Sequence, residues 1–557
     1  MVFDNRLYKQ ESGVKASLRL LLLITILSTA FVHTLFAQEN NQNITFNGSA
    51  NLSDNFYSSS GIDPRQPGNL FTGIFRANIS LFNQVDLPFE FYYSTQQTAF
   101  QQPFNQFGIS PRLTDWLTLH GGYFSTRISD FTFGDLRVLG GGIELTPGDF
   151  RLKAFYGRSR QAVEPNKVSF APEVYKQNVY GVSLGYGNMS KSFFNLNVFH
   201  AKDDSASIKS DSVLVAPNEN LVGSIDFGVR LGKALNVRGE LGMSAFSSDM
   251  GAQEVDDISI SSYLFTPNFS TKVDAAAKVN INIKPSKFWS VNLSSRWIGP
   301  GYRTLGYALL PNDLVEFNVA PSLRLIKNKL NIRSKVGIRY NNLQDQKLST
   351  TSRFTGFIAA NYQVNKTFGI DVNYNKNQIE SGHKYDTLRL SNVFNSFSIS
   401  PRLFFQGFGG TNNLIATYSY QDVSDKNVYT QSISNNHTNS VYLVHSLSYV
   451  SSLSFATTAL YNSTELPTIT SRIYHVSETI SRRFFNNKLS ASASVGANFI
   501  KVTESNKQFV FRVNASYNVG KMGSLSFNIS NNTYNGNGVL AQNYNEIYGS
   551  IQYNINF

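Results

Sequence analysis

The chain has 557 residues, of which 15% are charged and 13% aromatic, with 44 Phe, 28 Tyr and no cysteine. So little charge, against roughly 25% in ordinary globular chains, argues against a string of soluble domains, and the missing cysteines exclude disulfides, thiolate metal sites and a thiol nucleophile. The formal charge of +12 comes from scattered rather than clustered Lys and Arg, which argues against nucleic-acid binding. A mean hydropathy of -0.21 is what alternating strands give, because their greasy and polar faces cancel.

Residues 1–37 read as an export signal. Arg6, Lys9, Lys15 and Arg19 precede an apolar run from Leu20 to Leu27, and Leu35-Phe36-Ala37 offers a cleavage point before Gln38. The apolar run is too short to cross the ~30 Å of a bilayer core as a helix. Residues 38–557 then form a single domain, and its first strand is expected near Ile44 to Tyr57, which leaves no room for a plug domain ahead of it. From there a hairpin unit recurs: an alternating strand, a tight turn, a returning strand. Turns are expected near 84, 113, 148, 188, 232, 286, 328, 365, 409, 450, 485 and 521, with turn chemistry such as Thr146-Pro147-Gly148-Asp149.

These turns predict an all-β chain: a transmembrane, antiparallel, up-and-down β-barrel of about 26 strands (range about 22–26), following an N-terminal signal peptide. About 20 residues are then available per strand, against the ~9–11 that a tilted spanning strand needs. The surplus falls in longer polar connections at the other end, expected at 158–178, 201–220, 246–271, 375–391 and 421–439. No segment after residue 37 sustains a helical apolar period.

The last stretch alternates strictly. Ile547, Gly549, Ile551, Tyr553, Ile555 and Phe557 share one parity, and Glu546, Tyr548, Ser550, Gln552, Asn554 and Asn556 the other. It resembles the C-terminal strand of outer-membrane β-barrels. That resemblance implies an assembly signal in Tyr553, Ile555 and Phe557, recognised by the barrel-assembly machinery. A second run, from Phe104-Asn105-Gln106-Phe107-Gly108 through Pro111-Arg112-Leu113 and Trp116 to Tyr123, continues in Gly140-Gly141-Gly142 and Phe155-Tyr156-Gly157-Arg158. It resembles a segment of uncharacterised, porin-like outer-membrane barrels of Bacteroidota-type bacteria. What it implies is a barrel in the cell outer membrane, surrounded by lipid, with other outer-membrane proteins as possible partners. It brings no catalytic or ligand residues.

Parity also assigns faces. Val315, Phe317, Val319, Ile332, Val336 and Ile338 oppose Glu316, Arg324, Arg333, Lys335 and Arg339. A charge on the lipid face costs ~2–4 kcal/mol at the bilayer midplane, so Arg324, Arg333, Lys335 and Arg339 are expected to line the lumen. The same parity adds Lys278 and Arg296, and a basic lining suits anions. Asp249, Glu254, Asp256 and Asp257 share one connection but lack calcium-loop spacing, so no metal or other cofactor is expected. The histidines, among them His120, form no local catalytic motif with Ser or Asp, and Gly140-Gly141-Gly142 fits a kink in a curved strand rather than a phosphate cradle. The expectation is therefore a non-enzymatic, porin-like channel for small polar or anionic solutes, with a structural or receptor barrel as the alternative. So wide a barrel needs a constriction. Residues 246–271 hold Met250, Val255, Tyr263, Leu264 and Phe265, and they are the expected inward-folded gate, with 158–178 second.

Overall fold

The computed structural model describes residues 44–557 apart from 83–84, 96–107, 135, 165–172, 210–213, 256–262, 384, 428, 430–434 and 538–541. The signal segment and the Phe104–Phe107 part of the resemblance run lie outside the described residues.

Every strand pairs antiparallel with its neighbour in sequence, and the series returns to its start. The first strand, β1 (Ile44–Ser60), pairs with the last, β27 (Tyr544–Asn556), from Ser49↔Asn556 to Ser60↔Asn545. The wall has 26 crossings, because β4 (Gly108–Ile109) and β5 (Arg112–Thr114) are two pieces of one strand. Pro111, which has no N–H to give a ladder, separates them. Among the described residues, eleven tight connections lie on the side of the chain ends, at the places that the turn chemistry predicts, for example 146–149, 326–329 and 485–488, while the turn expected near 84 falls on 83–84, outside the described residues. Asn328 and Asn487 take positive φ there (69° and 68°), which Asn tolerates better than most residues.

Side chains alternate between two environments. On one face, Leu241, Met243, Phe317 and Val319 are 57%, 62%, 51% and 46% exposed. On the other lie the Ser, Asn and charged residues of the same strands. A closed wall with an exposed apolar belt turns that belt to lipid and its polar face inward.

The far end of the wall departs from expectation in two ways. Residues 375–391 are mostly strand and 421–439 are strand at both ends: β18 runs Phe368–His383, β20 Gly410–Asp425 and β21 Asn436–Ser448, so the connections shrink to 384–389 and 426–435. Asn, Ser and Lys in these stretches belong to polar faces and to the strand ends that rise above the apolar belt. Two connections that no compositional signal singled out, 126–136 and 299–313, fold inward. The buried apolar cluster forms around them, from Phe124, Phe131, Phe133, Val138, Phe155, Val179, Phe199, Val222, Ala276, Ile298, Tyr302 and Leu314.

Candidate functional site: an interior latch beside a basic wall

The segment 126–136 leaves β6 (Leu117–Ser125) and returns in β7 (Arg137–Leu145), while 299–313 joins β14 (Trp289–Ile298) to β15 (Leu314–Leu325). They meet as a short parallel bridge, Phe133↔Gly306, with Gly134 N–H donating to Gly306 O at 3.2 Å. Three hydroxyls of the second segment cap carbonyls of the first. Tyr302 Oη donates to Phe131 O (2.9 Å), Thr304 Oγ1 to Thr132 O (2.6 Å) and Tyr307 Oη to Ser129 O (2.6 Å). Burial, with the nearby Glu240 charge, pushes the Tyr302 phenol up, so it stays a donor. Phe131 and Phe133 are 1% and 0% exposed.

Wall residues of interior parity fasten this pair of segments. Glu240, 1% exposed on β12 (Leu235–Ser247), accepts from Phe131 N–H at 3.0 Å and Asp130 N–H at 3.2 Å. Lys278 of β13 (Thr271–Ile283) pairs with Glu240 at 3.1 Å and also with Asp130. Asn220, fully buried, donates to Arg303 O at 3.0 Å and accepts from Leu305 N–H at 3.0 Å. Glycines give the latch its seat. A Cβ on Gly181 would lie 2.5 Å from the Phe155 ring and 2.6 Å from Ile128, and one on Gly242 would lie 3.0 Å from Tyr302 Oη.

The expected gate, 246–271, is a separate connection from this latch, and its Phe265 is 1% exposed. Its connection runs 248–270, with 256–262 outside the described residues, and Tyr263 and Phe269 stand 98% and 73% exposed. Its contribution is Phe246, under the Arg303 guanidinium at 4.4 Å. The second expected gate, 158–178, begins as strand in β8 (Phe150–Arg160), and 165–172 lie outside the described residues.

The six cations singled out from parity divide into two groups. Lys278 is committed to the latch, and Arg296 pairs with Glu316 at 3.3 Å. Arg324, Arg333, Lys335 and Arg339 stand on the face that carries Glu316, and register sets Arg339 directly opposite Arg353 of β17 (Ser349–Gln363). No carboxylate lies within ion-pairing distance of Arg324, Arg333, Lys335, Arg339 or Arg353 among the described residues. A cleft of about 150 Å³ is lined by Lys335, Arg339, Arg353, Thr355, Asn318 and Glu316. Further round the wall, Ser454, Ser492, Asn514, Ser526, Asn528 and Gln552, together with Arg482 and Arg483, border a cavity of about 740 Å³.

At the seam, Phe557 stacks on Phe46 (4.9 Å) and Phe75 (5.9 Å), and exchanges both backbone hydrogen bonds with Gly48. Tyr553 Oη donates to Met522 O at 2.6 Å, and Ile555 is 3% exposed.

The fold assembles one polar row that local motifs could not reveal. Ser110 Oγ lies 2.8 Å from His120 Nδ1, and His120 Nε2 lies 3.5 Å from Glu144. The second distance is longer than a hydrogen bond, and Glu144 is already shared by Thr126 at 3.0 Å and Lys153 at 3.1 Å. This arrangement ties three wall strands together through Glu144 and its neighbours. In the acidic connection, Asp249 accepts from Gly251 N–H at 2.8 Å, and Asp256 and Asp257 lie outside the described residues.

A closed antiparallel wall, apolar on one face and polar on the other, with connections packed into its interior, defines a β-barrel of the outer-membrane type. No protein-family model matches the chain, and no curated protein matches it. Among solved structures it is similar to OccAB4 of Acinetobacter baumannii (11% identity, 66% of this chain and 97% of that one, TM-score 0.30). It is also similar to the outer membrane protein OpdK of Pseudomonas aeruginosa (10%, 66% and 100%, 0.31), and to BauA, the ferric preacinetobactin receptor of A. baumannii (9%, 92% and 81%, 0.37). Likeness at this level carries no argument about what the chain does, and the class rests on the wall itself.

Proposed function

We propose that the protein is an outer-membrane channel for small polar solutes that favours anions and is constricted by its own paired interior segments. The chain is exported by a cleaved signal and inserted through its C-terminal strand. One observation carries the reading: Arg339 faces Arg353 across the ladder, beside Lys335 and Arg333, without ion-pairing carboxylates among the described residues. Like charges directly opposite each other are destabilising in a sheet. Glu316, opposite Arg339 on the other side, is already paired with Arg296, so the retention of these cations on an interior face supports a role in attracting a mobile anion. Solute chemistry is not part of this role: the cations lower the electrostatic barrier to an anion and raise it for a cation.

The test is ion selectivity in planar bilayers under a KCl gradient. The wild-type reversal potential should indicate chloride preference, and the double variant Arg339→Glu/Arg353→Glu should move it toward potassium. If both the wild type and a variant lacking residues 129–134 conduct nothing, the channel reading is wrong.

A further inference from the structure

The apolar belt contains a break. Glu478 stands in β23 (Thr470–Phe484) between Val476 and Ile480, which are 49% and 46% exposed on the same face. Register sets it opposite Thr457 of β22 (Leu453–Glu465) on one side and Val495 of β24 (Leu489–Lys501) on the other, and sets His445 opposite Thr457. Thr457 Oγ1 donates to Glu478 at 2.6 Å, and His445 Nε2 lies 2.9 Å from Asn412 Oδ1. Along its strand Glu478 lies four residues from Tyr474 and six from Phe484, with Arg482 over the Phe484 ring at one edge, and aromatic residues mark the edges of such a belt. Between those edges lies the depth at which a lipid-facing charge is most costly. A single hydroxyl leaves most of its carboxylate lone pairs facing hydrocarbon.

The surroundings define what can cover it. Ala416, Ala459, Ala491, Ala493 and Ala497 share this face, and small side chains let another wall approach closely within a membrane. The connections above it, 466–469 and 502–504, are four and three residues long, so the rim does not hold a neighbour away. Two copies inserted in the same direction are related by an axis along the membrane normal, so every residue keeps its depth. Glu478 then meets the second copy's Thr457 hydroxyl. The second copy's His445 lies one strand beyond that Thr457, about 5 Å further along the wall at ~4.8 Å per strand, and roughly 3 Å away in depth because of strand tilt. In low dielectric, a carboxylate and an imidazole at such range complement each other.

We infer that the face centred on Thr457 and Glu478 is where a second copy of the chain docks in the bilayer. The chain has no native cysteine, so single cysteines report this contact directly. In lipid nanodiscs, light scattering should give twice the mass of one chain, and oxidised Thr457→Cys should cross-link to that species. Val319→Cys, on the apolar face of a distant strand, should not. Glu478→Leu should lower the dimer fraction at least tenfold, while Glu478→Gln, which keeps an acceptor, should retain most of it. Heat-modifiable gel mobility confirms insertion of each variant. A single-chain mass for the wild type in lipid would overturn the inference. So would equal cross-linking from Val319→Cys, or cross-linking of Thr457→Cys in cells to a different outer-membrane protein.

Discussion

Glu240 is a carboxylate on a wall strand where almost no water reaches it, and it survives there because two backbone N–H groups and Lys278 take up its lone pairs. Breaking a buried pair from one side costs about 3–5 kcal/mol, since the other charge stays behind. Glu240→Leu should therefore free the 126–136 segment, visible as a raised single-channel conductance and faster proteolysis at Arg127. Glu240→Gln should do less of both. Asp313 supplies a second residue-level test. It is buried, which by itself would raise its pKa. Lys347 and the N–H groups of Leu343 (2.8 Å) and Asn342 (3.0 Å) outweigh that and hold the carboxyl below its ordinary value of 3.8. A depressed folded value means the stabilisation is present above 3.8 and disappears as pH falls through that lower value. Hydrogen exchange at Asn342 and Leu343 should accelerate on acidification below about pH 4, and Asp313→Asn should remove that pH dependence.

At the scale of elements, the latch is two irregular segments that could not persist alone. Each exposes carbonyls that the other caps, and each contributes aromatics that the wall glycines admit. Phe133→Ala should cost about 3–5 kcal/mol locally, as large core truncations do. Tyr302→Phe should cost about 1–3 kcal/mol by leaving the Phe131 carbonyl unpaired. Both should increase conductance or its fluctuation in planar bilayers. Gly242→Val should do the same by crowding Tyr302 and Phe131 off the wall. Removing residues 249–255 should leave conductance near wild type, because that connection does not hold the latch.

The whole molecule depends on closure. Strands β1 and β27 are nearly 500 residues apart in sequence, so their pairing is the last to form on loop-entropy grounds. The Phe557 ring, stacked on Phe46 and Phe75 beside the Gly48 ladder, lies at that seam. Deleting Phe557 or replacing it with Asp should reduce the heat-modifiable, membrane-inserted fraction severalfold in cell envelopes. An undiminished fraction would remove the seam and its terminal aromatic from the account of assembly.

The wall was legible in the amino-acid sequence because its determinants are local. Period two gives the strand, turn residues give the reversal, and parity places Arg333 and Val336 on opposite faces without any knowledge of partners. Strand ends were harder to place, since above the belt both faces turn polar, and 375–391 and 421–439 read as connections when most of the first and both ends of the second are strand. The latch lay beyond local reasoning. Phe131 and Tyr302 are 171 residues apart in sequence, each in a stretch without periodicity, and what makes them a pair is the glycine-lined interior between β6 and β15. Lys278 shows the same division: parity put it on the polar face, and only the folded chain could set Glu240 and Asp130 against it. Alternation along one strand fixes which way a side chain points, whereas its partner depends on which distant segment the closed wall brings opposite it.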